Sequence, residues 1–94
     1  MILFDDLTAV KSYLRLDFDD DDTLLSEIIE PAAEFKVMSI AGYDLETFIA
    51  RAASMKLPTL YATAYLYEHR EEADHQALDE TLRALLAQER NVPL

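Results

Sequence analysis

The chain has 94 residues, 51% of them apolar, with 19 acids against eight Lys and Arg, one glycine, three prolines, no cysteine and a formal net charge of −11. The apolar share excludes disorder, the missing thiols exclude disulfides, thiolate zinc sites and cysteine nucleophiles, and the charge excludes ordinary nucleic-acid binding, because a surface of that sign repels phosphate. Scarce Gly and Pro beside abundant Ala, Leu, Glu and Arg predict an all-α fold, a small bundle of four to five helices with short connections in one domain over 1–94.

The opening MILFDD has no basic region ahead of its apolar residues and does not read as a signal peptide. A first helix is expected over 7–15, with Asp6 as cap, Leu7, Val10 and Leu14 on one face, and Lys11 and Arg15 near its negative end. The acidic connector 16–22 follows, DFDDDD, with Asp17, Asp19, Asp20, Asp21 and Asp22. Calcium loops take ligands at positions 1, 3, 5, 7, 9 and 12 with glycine at 6. Asp17, Asp19 and Asp21 fit the start, but Asp22, Leu25 and Ile28 then fall where glycine and ligands are needed. The preferred reading is a solvated surface whose last members, Asp21 or Asp22, cap the next helix.

That second helix is expected over 23–41, its apolar face made by Leu24, Leu25, Ile28, Ile29, Ala32, Ala33 and Phe35 and continuing to Ala41. Pro31 predicts a kink or restart near 27–31, and Gly42, the only glycine, is placed for a left-handed C-cap. Asp44 caps a third helix carrying Leu45, Phe48 and Ile49 and ending near Met55, with a break at Lys56-Leu57-Pro58 and Pro58 in the first turn of the fourth helix.

The fourth helix, PTLYATAYLYEHREEA, is apolar around nearly its whole circumference, with Thr63 as the one interruption before the polar end at Glu68. A chain of this size covers every side of such a helix only if the helix is central, and otherwise leaves part of it for another subunit. Tyr61, Tyr65 and Tyr67 read either as core or as a subunit contact, and Glu68 and Arg70 either as a solvated helix end or as an intersubunit ion pair. The longest uncharged run, Leu57 to Tyr67, is 11 residues, short of the roughly 20 that cross a bilayer, so a soluble chain made in the cytoplasm is expected. A last helix is expected over 76–89, with Leu78, Leu82, Leu85 and Leu86 on one stripe, before an Asn91–Leu94 tail.

Catalytic signatures are absent: His69 and His75 form no helical ligand pair, and there is no phosphate loop or nucleophile elbow. No enzyme, cofactor or metal site is therefore expected.

Two stretches, DLTAVKSYLRLDFDDDDTLLSEIIEPAAEF and LPTLYATAYLYEHREEA, with TLRALLAQER matching more loosely, resemble the head-to-tail connector (adaptor) proteins of long-tailed bacteriophages and prophages. The pattern is a short helix ending in YLR-hydrophobic-D, an acidic connector, LL-x-x-x-I, and a later LP…YE-x-RE helix. Pro31 departs from it, and the segment 43–57 is variable in such proteins and inherits nothing. The resemblance implies a virion protein at the head-to-tail junction, made in the bacterial host. It would be a ring of about twelve copies between the portal protein and a tail-side stopper or completion protein, through which DNA passes without specific binding. In that reading Tyr61, Tyr65, Tyr67, Glu68 and Arg70 are the candidate subunit interface, and Asp17 to Asp22 the acidic channel lining or solvent surface. The rival is an acidic helical binding module or regulator that mimics DNA toward a basic partner protein.

Overall fold

Asp44 and Asp74 each sit in extended backbone just before a helix and accept the N–H three residues on, from Thr47 at 2.8 Å and from Ala77 at 3.0 Å. Such local signals frame five helices over residues 1–87, the part of the chain that the computed structural model describes. They are α1 (Thr8–Leu14), α2 (Asp22–Leu24, Leu25–Ile29 and Glu30–Ala41 in unbroken succession), α3 (Leu45–Ala50), α4 (Ala52–Glu68) and α5 (His75–Leu86). No strand occurs among the described residues, and the fold is all-α as expected. The expected extension of the last helix to 89 and the tail from Asn91 lie outside the described residues.

Gly42 ends α2 at φ 73°, where its N–H donates to Ser39 O at 3.2 Å and the Tyr43 N–H reaches back to Met38 O at 3.1 Å. A Cβ here would meet nothing within 4 Å, so the cost of a side chain is purely that of the left-handed backbone. Gly42→Ala is expected to lower stability by about 1 kcal/mol, as read from denaturant midpoints.

Pro31 does not break α2. It has no N–H for the Glu27 carbonyl and its ring would crowd that oxygen, and the helix answers by widening just upstream. Leu25–Ile29 is a π turn in which the Glu30 N–H reaches back to Leu25 O. The extra residue rotates everything after it by about 100°, and this divides the expected apolar face. Leu25, Ile29, Ala33, Val37 and Ala41 are buried, whereas Ile28 and Phe35 stand 62% and 70% exposed and Ala32 is exposed beside them.

The break between the third and fourth helices also moves. It falls at Arg51 (φ −103°, ψ 26°), and α4 runs straight through Pro58 instead of starting there. Met55, Pro58, Thr59, Ala62 and Thr63 are all buried along one side of α4. Keeping that line in the core outweighs the roughly 3 kcal/mol by which proline disfavours a helix interior.

The core is built around α4, which packs against each of the other four helices. Val10 from α1, Phe48 from α3 and Leu78, Leu82 and Leu86 from α5 are all at or below 1% exposure. The N-terminal arm adds Leu3 and Phe4. The molecule extends 46 × 28 × 18 Å. The shortest dimension is that of two helix layers, so every helix keeps an outer face.

Two carboxyls lie in this core, Glu30 at 0% and Glu34 at 2% exposure, one helical turn apart. The Glu34 carboxylate is satisfied by the N-terminal arm: Oε2 accepts the N–H groups of Ile2 at 2.7 Å and Leu3 at 2.8 Å, and Oε1 lies 2.9 Å from the Ile2 N. Glu30 has both oxygens buried with no protein group donating to them among the described residues.

Candidate functional site

The six-residue acidic run folds back on the bundle instead of capping α2. Asp21 occupies the N-cap position without accepting from the helix. Its carboxylate instead takes the hydroxyl of Tyr67, and Arg70 lies over the Tyr67 ring at 4.7 Å with Nη1 3.8 Å from the same carboxylate. The hydrogen bond to Asp21, followed by partial desolvation, raises the Tyr67 hydroxyl pKa above its ordinary value. On the other side of the loop Lys11 Nζ is 2.5 Å from Asp19 and 2.8 Å from Asp22. Those two contacts raise the lysine pKa. Asp17, Asp19 and Asp20 remain exposed, while Asp21 and Asp22 are half-buried.

Thus Tyr67 and Arg70, grouped from sequence as interface candidates, are joined to the acidic loop within one chain. Glu68 is exposed, and no ion pair joins it to Arg70 among the described residues. No cluster of three or more His, Asp or Glu side chains able to hold a metal ion occurs among the described residues. No described helix is long and apolar enough to cross a membrane.

Tyr61 and Tyr65 go elsewhere. With Ala64 they form the floor of an open groove of about 520 Å³ between α4 and α1, whose near wall is Tyr13 and Leu14 and whose end is Glu68 and His69. The Tyr65 hydroxyl accepts the Asp74 N–H at 3.1 Å, and the His69 ring stacks on Tyr65 with centroids 4.1 Å apart and planes 17° from parallel. Both tyrosines are half-buried, so α4 is central yet not enclosed. Aromatic faces with few polar groups suit the packing of another side chain or helix.

A model of the phage gp6-like head-tail connector protein family matches residues 4–92. The chain belongs to that family. The connector's matched region takes in α1, the acidic loop, the groove and the buried Glu30 and Glu34. Searches of curated proteins and of solved structures each return no match. Membership gives the chain a structural role in joining phage head to tail, as a virion component that contacts other head or tail proteins.

The burial of Glu30 and Glu34 and the outward placement of Ile28 and Phe35 do not follow from the order of residues in α2 alone. Glu30 and Glu34 are spaced four apart, with Glu30 on the side where Ala33 and Val37 are buried. The signal was present, but it carries meaning only once the N-terminal arm is known to supply N–H groups.

Proposed function

We propose that this connector works as a ring of about twelve copies, seated beneath the portal protein and extending the DNA channel toward a tail-side stopper or completion protein. The observation that carries the reading is the groove face of α4: Tyr61 and Tyr65 stay half-exposed although their helix is the centre of the bundle. A helix surface of this kind calls for a neighbour. Tyr67 and Glu68 end the same helix and Arg70 follows it, where the subunit contact would meet the acidic loop. Asp17, Asp19 and Asp20, exposed on that loop, suit a channel wall that must let DNA slide without gripping it.

Charge sets the conditions of assembly. Twelve copies at −11 each carry roughly −132 (12 × −11), so repulsion opposes closure and added salt relieves it. Sedimentation of the isolated protein is expected to show stronger self-association at about 500 mM salt than at about 20 mM. Stronger association at the lower salt would refute the charge argument. A chain that stays monomeric and instead binds a basic protein, tightly at low salt, would favour the DNA-mimic reading.

A further inference from the structure

Among the apolar surfaces that the described residues leave in water, one on α2 and one on α4 carry the most exposed side chains. On α2, Ile28, Ala32 and Phe35 follow the i, i+4, i+7 spacing of one helix face, and the two large side chains are 62% and 70% exposed. On α4, Leu57, Tyr61 and Ala64 repeat that spacing, with Leu57 58% exposed and the other two half-buried at the floor of the groove.

Charge separates the two surfaces. From Leu16 to Phe35 the chain has eight acids, six of them outside the core because Glu30 and Glu34 are buried, and no base, and from Thr47 to Tyr67 it has no acid and two bases, Arg51 and Lys56. Most contacts between two copies of so acidic a chain would set carboxylate against carboxylate. Placing the Ile28–Phe35 stretch of α2 in one copy on the Leu57–Ala64 stretch of α4 in another sets a base-free segment, with Glu27 exposed at its rim, against an acid-free one; Lys36 just beyond the stripe is paired with Asp79, and Glu68 lies at the far end of the groove.

We infer that neighbouring copies meet through these unlike surfaces, the Ile28–Phe35 stripe of one copy seating on the Leu57–Tyr61 face and groove of the next. The contact is heterologous, so it leaves one free surface of each kind after every addition and closes only as a ring. The greasy contact supplies the affinity, and the charges select which faces meet. The inference rests on the ring reading above and names what fills its groove.

Complementary variants test it. Ile28→Gln with Phe35→Gln spoils the stripe, and Leu57→Gln spoils the receiving face. All three positions are more than half exposed and neutral substitutions leave the charge unchanged, and circular dichroism verifies folding. In sedimentation at high salt each variant alone is expected to lose self-association by about tenfold or more, whereas a 1:1 mixture regains a dimer and stops there, because each dimer ends in two spoiled faces. If the wild type associates but the mixture stays monomeric, or if the stripe variant associates like the wild type because its partner is the portal, the inference fails and the ring reading survives. A wild type that remains monomeric at every concentration and salt overturns both.

Discussion

Glu30→Gln is expected to stabilise the protein at pH 7 by about 3 kcal/mol and to flatten its stability profile between pH 5 and 8. The Glu30 carboxyl is fully buried, and its pKa is pushed up from 4.5 to about 8, first by desolvation and then by the adjoining Glu34 carboxyl through hydrogen bonding and charge. Below roughly pH 4.5 the group is neutral in both folded and unfolded chains and carries no linkage penalty. Between 4.5 and about 8 the folded chain keeps a proton that the unfolded chain has released. Stability therefore falls as pH rises through that window, and the loss is complete above the folded pKa.

Glutamine has the shape of the protonated acid and can donate to Glu34 permanently, so the variant should match wild type near pH 4.5 and separate from it upward. For a domain of this length about 3 kcal/mol corresponds to a melting-temperature rise of roughly 10–20 °C. Thermal melts of both proteins from pH 5 to 9 decide the matter: parallel profiles would mean that Glu30 is not the proton-binding group.

Phe48→Ala is expected to cost about 3–5 kcal/mol, a large share of the 5–15 kcal/mol typical of a whole domain. Phe48 is 0% exposed and is the one buried residue of the six-residue α3, while its helix mates Leu45 and Ile49 are 51% and 52% exposed. A helix this short is not stable by itself, so this side chain holds α3 to the bundle. Ile49→Ala, on the same helix, should cost under about 1 kcal/mol because about half of its surface stays in water. Urea midpoints of the two variants give the comparison. Equal losses would mean that α3 is fastened by something other than Phe48.

Much of the fold was legible because its signals are local. Asp44 before an apolar spacing, Gly42 after one, and the Leu78–Leu82–Leu86 stripe each act through neighbours within a turn or two, so residue order alone carries them. Asp21 shows the limit. As a short acid ahead of a helix it reads as a cap, but its carboxylate has a stronger offer from Tyr67 and Arg70, residues more than forty positions away. Pro58 shows the same limit in reverse: its local preference to begin a helix yields to the packing of Met55 and Ala62. For the candidate site, the aromatic belt of α4 was evident from its composition, whereas Tyr13 opposite it depends on how α1 lies against α4.

By itself the sequence determined the helical class, the acidic character, the apolar belt around the fourth helix and the family resemblance, since periodicity, charge and composition do not depend on how the chain is packed. Only the tertiary structure decided which side of α2 faces inward. A π turn before Pro31 rotates the helix, and two backbone N–H groups from the N-terminal arm give Glu34 the partners that burial requires. Phe35 is left on the outside as a consequence, and no reading of α2 alone could have shown it.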